Sequence, residues 1–263
     1  MGGVLSGRSL IRAAELRNVT IEYERYQTAV NTFVIEYGEL PGDMRNATRF
    51  WTAASTTACN GVSDFSNGRT CDGNGSGDLN WNTTPFGTVS LMENFFFWQH
   101  LSKAGLLEGH FPHKQSLDFY PKSKFPQGGW MIEYWGGCGN YDLFPEAFAV
   151  QAKHIMFFGN WAHSTLWSRQ ESVLPKTSSQ SPIYWGDPVG TEVLTPAELW
   201  GIDRKIDDGQ PGSGSVAAAV YDGYSACAVR TGTTTNAETH HSPTEYNAQN
   251  SGKVCLALFA PSF

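Results

Sequence analysis

Residues 8 to 37 run for 30 positions without a proline or a glycine. Within them Leu16, Val19, Tyr23, Tyr26, Val30, Phe33 and Tyr37 follow one another at intervals of 3, 4, 3, 4, 3 and 4. That spacing places the seven side chains on one stripe of an α-helix. The other face carries Arg17, Glu22, Glu24, Arg25, Asn31 and Glu36. A helix of this length spans ~45 Å at 1.5 Å per residue, and its apolar stripe needs a surface to lie on. A partner helix is one solution, but no second helical pattern of comparable length follows; a β-sheet from the same chain is the other. The helix is predicted to stop in YGELPGD, where Gly38 can relax the helix end and Pro41 bars its continuation.

The remaining sequence is long enough to supply such a sheet. The chain has 263 residues, 40% apolar and 16% charged, sufficient for one substantial core or two small ones. A net charge of −7 with no cluster of Lys and Arg argues against a nucleic-acid surface, because neutralising phosphates requires a basic stripe. No stretch approaches the ~20 apolar residues of a membrane-spanning helix, and MGGVLSG lacks the layout of a cleavable signal peptide. Gly 28, Phe 16, Tyr 10 and Trp 9, among runs rich in Asn, Ser and Thr, give the loop-rich, aromatic-rich profile common in exported surface proteins.

Five cysteines stand at 59, 71, 138, 227 and 255. In an oxidising compartment proximity pairs Cys59 with Cys71 and Cys227 with Cys255, each pair flanking a polar loop with little core of its own; Cys138 is left over. The other reading is five reduced, mostly buried thiols. No CxxC spacing indicates zinc or a redox dithiol.

The most chemically pointed stretch is CDGNGSGDLN, residues 71 to 80. Asp72, Asn74, Ser76 and Asp78 alternate with glycines, the oxygen spacing that a hard cation such as calcium uses in an EF-hand-like loop. Thr83 stands where a bidentate glutamate is expected, and Glu93 is the substitute from further along. A glycine-rich surface loop pinned by a Cys59–Cys71 bridge fits the same residues, and the two readings stay open.

Local signals place further elements. Thr195, Pro196 and Glu198 form a capping box with proline at the first helical position, so a helix is predicted over 196–207, ended by Gly209 and Pro211. A second is predicted over 93–107, with His100 read as a half-buried core or surface residue and not a catalyst. Candidate strands are 128–135, 152–159, 215–223 and 253–259. The fold class expected is α+β: a long N-terminal helix, residues 1–37, against an antiparallel sheet in a head comprising 38–263. Signatures of hydrolases and nucleotide-binding enzymes are missing: no G-x-S-x-G, Walker loop, H-E-x-x-H or G-x-G-x-x-G before a helix occurs. The pair Asp207 and Asp208 sits at a helix end, where structure or a cation suits it better than glycoside hydrolysis.

The stretch AELRNVTIEYERYQTAVNTFVIEYGELPGDMRNATRFW resembles the exposed half of the N-terminal spine helix of the type IV pilin-like superfamily, which includes the pseudopilins of type II secretion. ENFFFWQHLSKAGLLEG, PKSKFPQGGW and LTPAELWGIDRKIDDGQPGSGSV extend the resemblance, in order, over roughly a third of the chain. The resemblance implies a non-enzymatic filament subunit, pilin or pseudopilin. Its helix stripe would set its place among other pilin-like subunits and the secretion or pilus machinery. It further implies that the apolar half-helix preceding this point is missing here, with Met1 an introduced start, and that this half would engage the inner membrane before assembly into an extracellular filament. An alternative of another class is an adhesin module stacking sugars on Trp130, Trp135, Trp161, Trp167 and Trp185. A secreted hydrolase is the third, with no constellation to support it.

Overall fold

The computed structural model describes residues 2–54, 59, 68–79, 81–83, 89–111, 120–134, 154–160, 192–219, 226–229 and 244–263. Helix α1 runs from Gly2 to Tyr37. Of its stripe, Val19, Tyr23, Tyr26, Val30 and Phe33 are buried, and Leu16 and Tyr37 at the two ends are half-buried. The five buried members contribute on the order of 10 kcal/mol of gross hydrophobic stabilisation before chain entropy is subtracted.

The stripe lies on a sheet, as its width demands. Strands β3 (Gly129–Tyr134) and β4 (His154–Gly159) pair antiparallel. With β5 (Val216–Ala218) and β8 (Ala257–Phe259) they form a four-stranded sheet in the order β3-β4-β8-β5. Every neighbouring pair is antiparallel, with Trp130 opposite Phe158, Met156 opposite Phe259 and Ala218 opposite Ala257. All six residues of β4 are buried, so both faces of the sheet are covered along that strand. The fold is therefore α+β, with α1 against an antiparallel sheet. Short strands β1 (Trp81–Thr83), β2 (Val89–Met92), β6 (Ala228–Val229) and β7 (Glu245–Tyr246) make two further two-stranded ribbons that the sequence pattern does not signal.

Aromatic rings join the layers. Tyr23 packs on Phe259 of β8 with centroids 4.7 Å apart, and Tyr26 meets Trp130 of β3 edge-on at 5.6 Å. Trp130 has no exposed surface and its Nε1–H donates to Glu22 Oε2 at 2.8 Å. This corrects two expectations: Trp130 is core and no sugar platform, and Glu22 turns inward from the edge of the polar face to satisfy the indole, as a buried N–H requires. The Lys124 N–H also donates to Glu22. The tryptophans at 135, 161, 167 and 185 lie outside the described residues.

Helix α2 (Glu93–Lys103) and helix α3 (Pro196–Ile206) flank α1. α2 is shorter than the predicted 93–107 because Gly105, at φ 73°, adopts a left-handed turn that Ala104 to Leu107 follow. The capping box on α3 forms as predicted: Glu198 N–H donates to Thr195 Oγ1 at 3.3 Å and Thr195 N–H to Glu198 Oε2 at 2.9 Å. Glu198 has a second task. Arg12 of α1 grips it through Nε–Oε1 at 2.5 Å and Nη2–Oε2 at 3.0 Å, and the same guanidinium lies 4.2 Å from the ring centroid of Phe125. Arg12 thus clamps the early part of α1 onto the head.

Both proximity-paired disulfides are present, Cys59–Cys71 and Cys227–Cys255, with Cα atoms 5.7 and 5.0 Å apart. Cys138 lies outside the described residues.

Candidate functional site

Two acidic turns and the outer side of α1 hold the chemistry-bearing residues. The first turn begins where α1 ends. Gly38 takes φ 80°, then Leu40 to Met44 fold back toward α2. Gly42, at φ 89°, has no room for a side chain: a Cβ there would lie 2.2 Å from the Glu93 carbonyl oxygen. Its N–H donates to Nδ1 of His100 at 2.9 Å. A donor at Nδ1 leaves the ring proton on Nε2, which donates to Thr70 Oγ1 at 2.8 Å. His100 has no exposed surface, and Phe33, Trp51 and Phe96 surround it with centroids 5.2 to 6.3 Å away. Burial, with a smaller push from the Lys103 charge, lowers its pKa to about 3. The ring is a neutral strut between the turn that ends α1 and the segment that carries Cys71.

Next to it Asp43, 1% exposed, receives the glycine-rich loop. Its Oδ1 accepts from the N–H groups of Gly75 at 2.7 Å and Ser76 at 3.1 Å, and its Oδ2 from Gly77 at 2.7 Å. Gly75 and Gly77 adopt φ 70° and 82°, conformations that let successive N–H groups face one carboxylate. The residues expected to ligate calcium have other partners. Asp72 accepts from Thr48 N–H at 2.7 Å and Thr48 Oγ1 at 2.9 Å, Glu93 from Asn74 N–H at 2.9 Å, and Asn74 Oδ1 from Ser76 N–H at 2.7 Å. Ser76 Oγ donates to the Asp78 carbonyl at 3.4 Å. Calcium takes roughly six to eight inward oxygens. This loop turns N–H donors inward onto an anion, so in this conformation it does not fit the ion. Asp43, which the sequence reading assigned only to a helix stop, is the centre of the turn.

The second turn closes α3. Among the described residues Asp203, Asp207 and Asp208 are the group that brings three carboxylate oxygens within 4.8 Å of one another; Asp72, Asp78 and Glu93 do not. Asp203 is fully buried. Its Oδ2 accepts from Tyr246 Oη of β7 at 2.7 Å and its Oδ1 from Gly209 N–H at 3.0 Å. Burial pushes its pKa up to about 7 despite those two donors, and the charges of Asp208 and Asp207 add to the rise. Asp207 accepts from the N–H groups of Ser215 and Val216, and Asp208 from Gln210 N–H and Ser213 Oγ. These bonds fasten the turn that leads into β5. The two histidine pairs that could bind a metal, in HFPH (110–113) and at His240 and His241, are not brought to a site here: His113, His240 and His241 lie outside the described residues.

The outer side of α1 is the third feature. Leu10, Ile11, Ile21 and Ile35 are 71, 63, 49 and 85% exposed, on a helix whose opposite side is sealed to the head. The predicted stripe of Leu16, Val19, Tyr23, Tyr26, Val30, Phe33 and Tyr37 is brought together as one surface, but it packs into the chain's own core and so is not open to other subunits, which corrects the assembly role expected of it. No protein-family model, curated protein or solved structure matches this chain.

Proposed function

We propose that this chain is a non-enzymatic structural subunit of a type IV pilin-like filament, a pilus or a pseudopilus, acting through assembly and surface contacts. The observation that carries the reading is the mounting of α1. A 36-residue helix is held along one side by a sheet, by α2 and by the Arg12–Glu198 clamp, while its other side stays exposed. Such a helix is a rod with a head attached. The two disulfides suit an oxidising, extracellular setting and support the same reading. Subunits of the same kind and the secretion or pilus machinery are the partners this function requires, with the inner membrane as the place of assembly.

The test is to express the gene with its native N-terminus and examine cells and sheared fractions by electron microscopy. Filaments labelled by antibody to the head are the expected result; a native N-terminus with no apolar segment and no filaments would remove the proposal. The expectation of structural calcium at Asp72, Asn74, Ser76, Asp78 and Glu93 is tested separately by melting with and without calcium: a calcium-dependent rise in Tm that Asp72→Ala abolishes would restore it. On the geometry above, the expected outcome is no such rise.

A further inference from the structure

The turn around Asp43 holds a reactive pair. Asn74 is followed by Gly75, and in an Asn-Gly pair the glycine nitrogen can attack the side-chain amide carbon of the asparagine, because no Cβ on the second residue obstructs the five-membered ring that closes. Asn60 and Asn67 also precede glycines and lie outside the described residues. At Asn74 each group that the attack uses has a partner. The nucleophile is the Gly75 nitrogen, whose N–H donates to Asp43 Oδ1 at 2.7 Å and to the Asp43 carbonyl at 2.9 Å. A carboxylate at that distance is placed to take the proton as nitrogen bonds to carbon. The electrophile is the Asn74 amide. Its Oδ1 accepts from Ser76 N–H at 2.7 Å, so a donor already faces the oxygen on which negative charge develops. The same bond folds the amide back along the chain across Gly75. Arg45, which pairs with Glu39, lies over Gly75, where a Cβ would come within 2.4 Å of its Nε, and brings a positive charge to the reacting atoms. Asp43 is buried and Asn74 exposed, so the base is shielded while the amide meets water.

We propose that Asn74-Gly75 is a self-processing site, at which Asp43 as general base and the Ser76 N–H as oxyanion donor speed closure of a succinimide. The Gly75 nitrogen bonds to Asn74 Cγ, its proton passes to Asp43 and on to the departing amide, and the Cγ–Nδ2 bond breaks to release ammonia. Water then adds at one of the two imide carbonyls, the bond from that carbonyl to the Gly75 nitrogen breaks, and the nitrogen recovers a proton. Addition at Cγ leaves aspartate at position 74. Addition at the main-chain carbonyl leaves isoaspartate, with one more methylene in the backbone. Either product puts a negative charge on the residue whose N–H Glu93 already accepts. Isoaspartate also shifts the N–H groups of Gly75, Ser76 and Gly77 away from Asp43, so the turn that ends α1 loses its organising bonds in one direction only. The second acidic turn repeats the arrangement at Asp208-Gly209, where Gly209 N–H donates to Asp203 and Gln210 N–H to Asp208. Its electrophile is a carboxylate, which resists a nucleophile and has no ammonia to lose, so that turn is not a site of this kind. The site stands on the first turn alone and does not depend on the filament reading.

The folded chain is incubated beside the same chain unfolded in guanidinium chloride with its disulfides reduced, at one pH and temperature. Peptide mapping by mass spectrometry follows the segment 71–80 and separates Asn74 from Asn60 and Asn67. The folded chain is expected to lose ammonia at Asn74 on the order of tenfold faster than the unfolded one, or more, as a positioned general base implies, and to accumulate isoaspartate there. Asn74→Gln, whose ring needs a sixth member, removes the product at this position. Asp43→Asn, checked for folding by its melting curve, loses the acceleration. A folded chain that reacts no faster than the unfolded one overturns the proposal, whether or not Asp43→Asn folds. A folded Asp43→Asn chain that matches the natural rate removes Asp43 as the base, and one that exceeds it makes Asp43 a clamp that protects the amide; either result overturns the proposal.

Discussion

The two acidic turns answer the same problem, a carboxylate taken out of water, in opposite ways. Asp43 is surrounded by backbone donors: three N–H groups from one loop converge on it. Asp203 has two donors and two carboxylate neighbours. The first turn spends a charge to organise a loop that has no core, since Gly73, Gly75 and Gly77 bring no side chains to bury. The second crowds its charges, and its buried member titrates near neutrality. A carboxylate stabilises a turn in proportion to the donors it collects, and its own solvation cost is offset only when those donors outnumber its rivals.

Removing the collected carboxylate should therefore do the most damage. Asp43→Ala leaves three backbone donors without their acceptor and is expected to cost about 3 kcal/mol, read as a shift in the urea midpoint at constant slope. Asp43→Asn keeps one acceptor and should fall between. A smaller loss would mean that water replaces the carboxylate and that the loop is not organised by it.

The neighbouring strut separates the turns by pH. His100 titrates at about 3 in the fold against 6.5 in the unfolded chain, so between these values the unfolded state binds more protons. Stability is expected to fall as pH drops from 6.5 toward 3, by up to about 1.4 kcal/mol per pH unit. His100→Gln, which keeps a neutral donor and acceptor, should flatten this limb in melting curves recorded across that range.

Asp203 gives the opposite limb. Its folded value of about 7 exceeds the ordinary 3.8, so here the folded state binds more protons, and stability declines as pH rises from 3.8 to 7 and stays level above. Asp203→Asn should remove that decline and raise stability at pH 8 by about 1–3 kcal/mol, since the amide oxygen still accepts from Gly209 N–H and its NH2 can donate to the Tyr246 hydroxyl. A destabilised Asp203→Asn would instead make the crowded turn a collected one. The smallest effect belongs to the half-exposed clamp: Arg12→Ala is expected to cost about 1 kcal/mol, reduced at high salt.

The elements legible in the sequence are those whose causes are local. The stripe of α1, the Thr195 capping box and the short-range cysteine pairs each depend on residues close in the chain, and each stands where the pattern puts it. The centre of the turn after α1 was not legible, because Asp43 and the donors at 75–77 meet across more than 30 residues. Glycines alternating with polar residues suit a loop that turns oxygens inward and one that turns N–H groups inward equally well, so the pattern leaves the sign of the trapped charge undetermined. Trp130 misled for a related reason: a ring counted as a surface platform is recognised as core only when Glu22, 108 residues away, is seen to accept from its Nε1–H. The ribbon of β6 and β7 has strands of two residues each, too short for any alternation to register.

Trp130 has one more use. Its ring touches α1 through Tyr23 and Tyr26 and the sheet through Phe158 and Phe259, so its surroundings change whenever helix and sheet part. The difference in emission between the natural chain and Trp130→Phe isolates that indole from the other eight tryptophans. A blue-shifted difference spectrum marks a seated helix, and a red-shifted one a helix lifted from its bed, which turns the joint between helix and sheet into an optical gauge of how firmly α1 is held.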